Sequence, residues 1–456
     1  MTPQPVPTTP LQPWIAAKIG LPGPDLDPVA LRRYQLERIG ATLRLARGRS
    51  PFYRALLTGL PDAPDTLGQL AGYPFTTPAD LARYGPRLVC ADQDEVARVV
   101  TQEQPADLPA GWATLDTSGT AGPPKRVWFT STDQALTVDF FAVGMSTFTA
   151  AGDSAVVLLP CERPGSVGDL LATALERLGA RPVRHSVLRD VGYSLAELRQ
   201  AGADVMVGIP AQVLALARAD AGRAPRARLR PRSVLLSTDH VPDALARAVE
   251  QIWDCRVFNH YGMTEMGLGG GVECEARRGY HLREADLYVE IVDPGGGAPV
   301  PDGEPGEVVF TTLTRTGMPL IRYRTGDLSR FVPGPCPCGT TLRTLERITR
   351  RTAGVVRTTT GAPLALADLD EVLFALPGVV DFDAALVRSG GGRDRLDVEL
   401  RVSGPGGTAS AQAVRALHRL TGSPAGDQLA VSVRVVTATA PPAAAKRRLT
   451  VVDRDA

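Results

Sequence analysis

The chain has 456 residues, of which 44% are hydrophobic, so it is long enough for a large core and for more than one domain. Its 50 lysines and arginines balance 49 aspartates and glutamates, and this near-zero net charge gives no general field that would attract nucleic acid or anionic lipid. The absence of a secretory signal pattern and of an apolar run of about 18 residues predicts a cytoplasmic protein with no membrane span, whose six cysteines are thiols or metal ligands.

The first predicted element is a helix. Asp27 and Pro28 form an N-cap and first-turn pair, and Leu36, Ile39 and Leu43 follow at helical spacing. From about residue 150 the pattern changes to short apolar strands, each ending in a polar or glycine-containing loop: SAVVLLP, ADVMVGIP, RSVLLSTDH and CRVFNHYG. Amphipathic helices, AQVLALARADAG and PDALARAVEQIW, lie between the last three. This alternation is typical of a parallel sheet wrapped by helices, which binds its ligand at the loops GIPA, STDHVP and NHYGMTE.

The later part of the chain has two further patterns. Residues 286–332 alternate strand and turn, which predicts an antiparallel or barrel-like subdomain. After about residue 348, the segments LADLDEVLFAL and AQAVRALHRL predict helices, and RLDVELRV and LAVSVRVV predict strands. A compact α+β domain of about a hundred residues fits this last pattern.

Residues 114–130, TLDTSGTAGPPKRVWFT, have the composition of a phosphate-binding loop. A Walker-type loop needs Gly-Lys-Ser/Thr leading directly into a helix, but Lys125 follows Pro124, Arg126 replaces the hydroxyl residue, and RVWFT continues as a strand. The loop could still donate hydroxyl and amide hydrogens to a triphosphate, and an ordinary hairpin turn is the alternative. The candidate ligands are Thr117, Ser118, Gly119, Thr120, Gly122 and Lys125.

Two further motifs carry nucleotide-binding chemistry. NHYGMTE, at 259–265, combines an aromatic ring able to stack on a base (Tyr261), a hydroxyl (Thr264) and a carboxylate able to hold magnesium (Glu265). YRTGD, at 323–327, places Asp327 at the tip of a predicted tight turn, where a carboxylate can bind both hydroxyls of a ribose. A solvated turn acid is the alternative for Asp327.

The cysteines form a separate constellation. Cys274 and His281 stand in CEARRGYH, and Cys336 and Cys338 form a Cys-x-Cys in the turn CPCG. Three thiolates and an imidazole suit a structural zinc site, although the spacing is not that of a standard zinc finger. The remaining cysteines stand in apolar or strand contexts and are predicted to be small core residues: Cys90, Cys161 and Cys255.

In this order and at these separations, the motifs resemble the adenylate-forming superfamily of acyl-CoA synthetases, and most closely its phenylacetate–CoA ligase family. The resemblance covers nearly the whole chain and is carried by SPFYR, YPFTTPADL, DTSGTAGPPKRV, YGMTE with GGGVECEARRGYHL, and MPLIRYRTGDL leading to CPCG. It implies an α/β fold with a large N-terminal AMP-binding domain (1–348) of helix-flanked mixed sheets plus a barrel-like subdomain, and a small mobile C-terminal α+β domain (349–456).

The resemblance also implies an activity. A carboxylic acid would attack the α-phosphate of ATP, giving an acyl-adenylate and pyrophosphate, and the acyl group would pass to coenzyme A after the small domain rotates. Thr117 to Lys125 would grip the β- and γ-phosphates, Tyr261 would stack on adenine and Thr264 would contact the α-phosphate. Glu265 would coordinate magnesium and Asp327 would bind the ribose.

A looser match places Ser237 and Asp239, in STDHVP, in the segment that lines the adenine pocket of the family. Some members of the family hold zinc with cysteines at the positions found here, so the resemblance favours a structural zinc ion at Cys274, His281, Cys336 and Cys338.

The carboxyl-terminal part departs from the family. In RITRRTAGVV, Arg347 and Arg351 match basic positions of the hinge, but Ala353 and Gly354 replace its two acids. The family's catalytic lysine corresponds to Lys446 in AAAKRRLTVVDRD, which lacks the preceding glycine and stands one residue farther from the following aspartate. A solvated basic tail is the alternative for Lys446. The altered hinge bears more on the transfer of the acyl group to coenzyme A than on the formation of the acyl-adenylate.

The sequence says least about the identity of the carboxylic acid. The segments FFAVGMSTFT, GIPAQVL and MGLGGGV, where the family's acid would lie, are apolar, and glycines 269–271 would leave room for a flat ring, which favours an aryl or arylalkyl acid. The alternatives are an adenylating enzyme that transfers to a carrier protein or an amine, and a nucleotide-binding regulatory homologue without turnover. The expected partners are a small carboxylic acid and coenzyme A or a carrier protein, with no nucleic acid and no membrane, and a homodimer is the expectation for the assembly.

Overall fold

The computed structural model describes residues 6–91, 114–117, 125–359, 361–389, 393–404, 407–421, 429–438, 442 and 447–453. The α-helices in these residues are α1 Leu11–Lys18, α2 Pro28–Arg49, α3 Pro51–Leu56, α4 Pro78–Tyr84, α5 Ser131–Met145, α6 Val167–Arg177, α7 Val191–Ala201, α8 Pro210–Ala221, α9 Asp243–Trp253, α10 Leu366–Leu373 and α11 Ala409–Leu420. None of these described helices combines the length and the apolar character needed to cross a bilayer.

The strands of the described residues are, in chain order, β1 Thr114–Thr117, β2 Lys125–Trp128, β3 Ser154–Leu158, β4 Arg181–Arg184, β5 Val205–Gly208, β6 Ser233–Leu236, β7 Arg256–Tyr261, β8 Gly271–Glu273, β9 Tyr280–Leu282, β10 Leu287–Val292, β11 Gly306–Thr312, β12 Tyr323–Ser329, β13 Thr344–Leu345, β14 Arg350–Arg351, β15 Val355–Arg357, β16 Pro363–Ala365, β17 Val379–Arg388, β18 Asp394–Val402, β19 Leu429–Thr437 and β20 Leu449–Asp453. Short 3₁₀ turns occur at Leu67–Gly72, Gly85–Leu88, Pro225–Ala227 and Thr264–Met266.

The chain divides into two compact units. The first contains the described residues of Met1–Asp153, Pro160–Arg184 and Phe258–Ile348, and the second those of Ser154–Leu159, His185–Val257 and Thr349–Ala456. One boundary between the units follows Ile348, and residues 349–456 group with two earlier segments. A separate, mobile C-terminal domain stays a prediction.

The first unit is built on helix α2 and two sets of antiparallel strands. The carboxylate of Asp27 accepts a hydrogen bond from Val29 N at 2.9 Å, and Pro28 opens the helix, so the predicted N-cap is confirmed. Strands β10, β11 and β12 pair in antiparallel fashion, as the alternation over 286–332 predicted, and so do β7 with β8, β8 with β9, and β9 with β13. Buried residues of α2, β10, β11 and β12 share one hydrophobic core.

The second unit contains the predicted parallel sheet. Strands β3, β5 and β6 pair in parallel, and helices α8 and α9 follow β5 and β6 as the sequence pattern indicated. The last residues form a four-stranded sheet in the order β19, β18, β17, β20, together with α10 and α11. The predicted strands β18 and β19 are confirmed, whereas β17, which is central in this sheet, was not predicted.

Candidate functional site

The predicted phosphate loop joins two paired strands. Strands β1 and β2 are antiparallel, with Thr117 opposite Lys125, and Ser118, Gly119, Thr120 and Gly122 lie outside the described residues. A strand begins at Lys125, so the predicted departure from a Walker-type loop is confirmed. Lys125 is only 9% exposed, and its Nζ lies 3.5 Å from Glu265 Oε1.

Glu265 lies in a short 3₁₀ turn, Thr264–Met266, that follows strand β7. The residue is 3% exposed, and its Oε1 accepts a hydrogen bond from Tyr323 Oη at 3.0 Å in addition to facing Lys125. A buried carboxylate needs such partners, because an unpaired charge in a low-dielectric environment is strongly disfavoured. The hydroxyl-bearing Thr264, next to Glu265, is only half-buried.

Tyr323 is a site residue that the sequence analysis did not single out. The available signal was the alternation in YRTGD, which places Tyr323 and Asp327 on one face of a strand. The partner of Tyr323, Glu265, stands 58 residues earlier in the chain. Only the fold brings the two together.

Asp327 lies within strand β12, so its predicted position at the tip of a tight turn is wrong. Gly326 has a φ of +75° and the pairing of β11 with β12 shifts register here, which makes Gly326 part of a β-bulge instead of a turn. Asp327 is buried, and its Oδ2 accepts a hydrogen bond from Tyr261 Oη at 2.9 Å. The bulge thus places Asp327 against the aromatic residue of the NHYGMTE motif.

Strand β12 therefore connects the predicted magnesium ligand, Glu265, with the predicted ribose ligand, Asp327. Tyr323, at its start, holds Glu265, and Asp327, four residues later, holds Tyr261. The first unit in this way gathers four predicted residues, Lys125, Tyr261, Glu265 and Asp327, through two phenol–carboxylate bonds and one ammonium–carboxylate pair.

Ser237 and Asp239, the loosely matched adenine-pocket residues, lie in the second unit after strand β6. Ser237 N donates to Gly208 O at 3.1 Å, at the end of the neighbouring strand. Asp239 Oδ2 lies 3.7 Å from Arg447 Nε, and Arg447 Nη1 in turn donates to Asp370 Oδ1 at 2.7 Å. The carboxylate of Asp239 thus faces an arginine of the chain itself.

The predicted hinge residues lie in different units. Arg347, in the first, donates from Nε to Glu273 Oε1 at 2.7 Å, and the same fully buried glutamate accepts from Asn259 N at 2.9 Å. Burial raises the pKa of Glu273, and Arg347 opposes that shift. Arg351, in the second unit, ends strand β14. Lys446 lies outside the described residues, which resume at Arg447.

The cysteine and histidine constellation is assembled in the first unit. All four residues are buried, and their potential ligand atoms lie within 4.8 Å of one another. Cys274 Sγ is 3.7 Å from Cys336 Sγ, and Cys338 Sγ is 3.5 Å from His281 Nε2. The other ring nitrogen of His281, Nδ1, lies 3.3 Å from Arg343 O, which orients Nε2 toward the thiols. The hydrogen bonds with Cys274 and, less strongly, His281 lower the pKa of Cys338 despite burial.

The other cysteines confirm the core prediction only in part. Cys90 is buried, and desolvation raises the pKa of its thiol to about 12. Cys161 and Cys255 are half-buried. Neither residue is therefore the fully buried core cysteine that its apolar context predicted.

The glycines of the GGG segment do not leave an open slot. A Cβ on Gly269 would lie 2.5 Å from the ring of Phe140 and 3.1 Å from His260 Nε2, and a Cβ on Gly270 would lie 2.7 Å from Met266 Sδ. The expectation that these glycines leave room for a substrate ring is therefore wrong at these two positions. The glycines let the protein's own Phe140 and Met266 pack closely against the backbone.

Comparisons with known proteins identify the family of this chain. The family model for AMP-binding enzymes matches residues 87–314. The phenylacetate-coenzyme A ligase of Thermus thermophilus is 31% identical over 393 residues, which are 82% of each chain. The enzyme of the same name from Pseudomonas putida is 32% identical over 339 residues, which are 71% of this chain and 72% of the relative.

The solved structures agree at the level of the fold. A 2-hydroxyisobutyryl-CoA ligase in the postadenylation state, in complex with 2-HIB-AMP, superposes with a TM-score of 0.77 at 19% identity, covering 94% of this chain and 91% of the ligase. An anthranilate CoA ligase in complex with anthranoyl-AMP gives a TM-score of 0.52 at 15% identity, covering 74% and 66%.

Proposed function

The chain belongs to the phenylacetate–CoA ligase family of AMP-binding enzymes, and on that premise we propose that it activates a carboxylic acid with ATP and transfers the acyl group to coenzyme A. In the first step the acid's carboxylate oxygen bonds to the α-phosphorus of ATP, and the bond to the leaving pyrophosphate breaks. In the second, the thiol sulfur of coenzyme A bonds to the acyl carbon, and AMP leaves. The observation that carries the proposal is the convergence of Lys125, Tyr261, Glu265 and Asp327 around strand β12.

The nucleotide-binding roles follow from this cluster. Asp327 is proposed to accept the ribose hydroxyls, with Tyr261 holding its carboxylate while the tyrosine ring stacks on the base. Lys125 pairs with Glu265 and is proposed to turn to the departing phosphates when ATP binds. Thr264 is proposed to contact the α-phosphate. The remaining loop residues, Thr117 to Gly122, complete the proposed phosphate grip.

Magnesium is proposed to bind at Glu265. The donor set suits that ion, because magnesium is usually held by one or two carboxylates together with substrate phosphates, and Glu265 offers one buried carboxylate beside the Thr264 hydroxyl. When bound, the ion would neutralise charge on the phosphates of ATP.

A structural zinc ion is proposed at Cys274, His281, Cys336 and Cys338. Tetrahedral zinc with typical bond lengths would place two sulfurs about 3.8 Å apart and a sulfur and a nitrogen about 3.5 Å apart. The corresponding distances are 3.7 Å between Cys274 and Cys336 and 3.5 Å between Cys338 and His281, which fits the ion. The four ligands would join strands β8 and β9 to the loop after β12, and so brace the strands beside the nucleotide cluster.

The acid is proposed to be aryl or arylalkyl, and the names of the curated relatives support this class.

Lys446 is proposed to assist adenylation. Arg447, which follows it, is fixed by its bond to the fully buried Asp370, and this supports an ordered anchor next to the lysine. Ser237 and Asp239 stay proposed adenine-pocket residues, and Arg347 and Arg351 proposed hinge residues. The carrier-protein acceptor, the homodimer and the cytoplasmic location stay predictions.

The experiment is acid-dependent exchange of labelled pyrophosphate into ATP, run with a panel of aryl, arylalkyl and alkyl acids, followed by thioester analysis with coenzyme A. The proposal expects exchange with at least one arylalkyl or aryl acid, and a coenzyme A thioester of the same acid. Exchange without a thioester would exclude coenzyme A as the acceptor. No exchange with any acid would exclude the activation step.

A further inference from the structure

Three consecutive backbone carbonyls at the Glu265 turn are each bound by a buried side chain from a different part of the fold. The bonds are Arg315 Nη1 to Glu265 O at 2.7 Å, Arg283 Nη2 to Met266 O, and Thr137 Oγ1 to Gly267 O at 3.0 Å. We propose that Arg315, Arg283 and Thr137, the carbonyl clamp, are positioning residues that fix Glu265 for metal–nucleotide binding. This inference rests on the proposed function.

The turn needs such support because it is short. A single 3₁₀ turn has few internal bonds, and the carbonyls at its C-terminal end have no partners within it. Gly267 and Leu268 follow with φ values of +78° and +68°, which ends the helical path. The turn's own bonds run from Met266 N to Met263 O at 3.0 Å, from Gly267 N to Thr264 O at 2.9 Å and from Leu268 N to Met263 O at 3.0 Å. They use the carbonyls of Met263 and Thr264, and the next three carbonyls are bound by the clamp.

The two arginines are buried at an electrostatic cost. Arg283 is 5% exposed and Arg315 is 7% exposed, and within the described part of the chain neither makes an ion pair within 4.0 Å. Desolvation lowers the pKa of Arg315 to about 10. Each guanidinium lies against a ring, Arg315 at 4.1 Å from the centre of Phe129 and Arg283 at 5.2 Å from that of Phe140. An apolar side chain would fill the same space without this cost, but it could not bond to the carbonyls.

Helix α5 supports the clamp twice. Thr137 is one clamp residue, and Asp133, one turn earlier, accepts hydrogen bonds from Thr316 N at 2.9 Å and Gly317 N at 3.0 Å. These two amides directly follow Arg315 in the chain. The helix therefore fixes both its own clamp hydroxyl and the loop that carries one of the two arginines.

The clamp and the carboxylate's partners bind different parts of Glu265 and its turn. It holds the backbone, while the Glu265 side chain reaches Tyr323 and Lys125. Loss of one bond would let the turn, and the carboxylate with it, shift relative to a metal–phosphate ligand. Groups that orient a metal ligand in this way typically change metal affinity by about 10- to 100-fold when removed.

The first test is the magnesium dependence of pyrophosphate exchange in Arg315→Met and Arg283→Met, with Arg315→Lys as the conservative variant. The matched control is Arg228→Met, because Arg228 Nη2 donates to Ala221 O at 2.9 Å, a bond of the same kind in the second unit. The expected result is a KM for magnesium raised about 10-fold in both methionine variants, with the KM for the acid within about twofold of wild type. Arg315→Lys should recover part of the loss, and Arg228→Met should leave the magnesium KM unchanged. Equal magnesium KM values in Arg315→Met and Arg228→Met would overturn the inference.

A second readout does not depend on turnover. Amide hydrogen exchange at Gly267 and Leu268 reports directly on the bonds within the turn. Faster exchange at these amides in Arg315→Met and Arg315→Lys than in Arg228→Met supports positioning, even if the wild-type protein exchanges pyrophosphate with no acid. Unchanged amide exchange in both Arg315 variants would overturn the inference, whatever the activity of the wild type.

Discussion

The carboxylate of Glu265 is held between a phenol and an ammonium group, and each contributes differently. Tyr323 donates a hydrogen bond at 3.0 Å that fixes one oxygen in direction, whereas Lys125, at 3.5 Å, mainly supplies opposite charge. A nucleotide that draws Lys125 away would leave Tyr323 to orient the carboxylate. The phenol is therefore the more constant partner.

Tyr323→Phe removes only the hydroxyl that bonds to Glu265. A hydrogen bond to a charged group contributes about 1.5–3 kcal/mol, so we expect binding of magnesium–ATP to weaken by about 10-fold. Calorimetric titration with magnesium–ATP measures this, with Tyr288→Phe, in strand β10 of the same sheet, as the matched control. Equal affinity in wild type and Tyr323→Phe would show that the phenol does not orient Glu265 for the nucleotide.

His260 makes the stability of the protein depend on pH. Desolvation and, second, the charge of Arg283 lower the pKa of His260 from 6.5 to about 4. The unfolded chain therefore binds a proton as the pH falls below 6.5, whereas the folded chain does not until the pH nears 4, so folding stability falls over this window. The expected loss between pH 7 and about pH 5 is about 2 kcal/mol.

Urea unfolding of wild type and His260→Gln at both pH values measures how much of the loss in the free energy of unfolding is due to His260. The glutamine variant should lose less stability on acidification, because its side chain does not titrate. If both proteins lose the same free energy of unfolding, His260 is not protected from protonation in the folded state.

At the scale of elements, the cysteine and histidine cluster links parts of the chain that are distant in sequence. Strands β8 and β9 are only three residues long each, and short strands with few ladder bonds hold their register weakly. A bound metal would add a covalent-strength link from these strands to the loop at Cys336 and Cys338.

We therefore expect about one zinc ion per freshly purified chain, and Cys338→Ser should lose the metal and lower the midpoint of thermal unfolding. Elemental analysis and a thermal scan test this, with Cys161→Ser, outside the cluster, as the control. Metal-free wild-type protein with the same midpoint before and after a chelator would exclude a structural zinc site.

Sequence patterns predicted elements well where burial is regular along the strand. Strands β3, β5 and β6 are buried throughout and were identified as apolar runs. Strand β17 was missed because Asp381 and Asp383 interrupt its apolar pattern, although Asp381 is buried beside Arg401, 3.5 Å away. Gly326 and Asp327 have the composition of a turn but form a bulge, because the partner strand β11 continues past them.

Local sequence patterns also identified only part of the candidate site. The NHYGMTE and YRTGD motifs could be assigned because they are continuous in sequence, whereas Tyr323, Arg283 and Arg315 act through bonds to residues 17 to 58 positions away. No local pattern marks such residues. The glycines 269–271 were misinterpreted for the same reason, because Phe140, which fills the space at Gly269, belongs to a distant helix.

At the scale of the whole molecule, Arg447 ties the last residues into the second unit. Its guanidinium lies 4.8 Å from the ring centre of Phe374 and bonds to Asp370, which is fully buried. Burial raises the pKa of Asp370, and Arg447 opposes that shift. The pair thus fixes the chain immediately after Lys446.

Arg447→Met should lower the free energy of unfolding by about 3 kcal/mol, because it leaves the Asp370 carboxylate buried without its partner. The double variant Arg447→Met with Asp370→Leu should recover most of that loss, because it also removes the unpaired carboxylate of Asp370. Denaturant unfolding of both variants measures this, and a double variant as unstable as the single one would contradict the argument.

The central claim, that the cluster around strand β12 is the site of acid activation by ATP, is tested most directly by arylalkyl-acid-dependent pyrophosphate exchange in wild type and Glu265→Gln. We predict exchange in wild type and a fall of about 100-fold or more in Glu265→Gln, with wild-type rates in the exposed control Glu304→Gln. Equal exchange in wild type and Glu265→Gln would contradict the account.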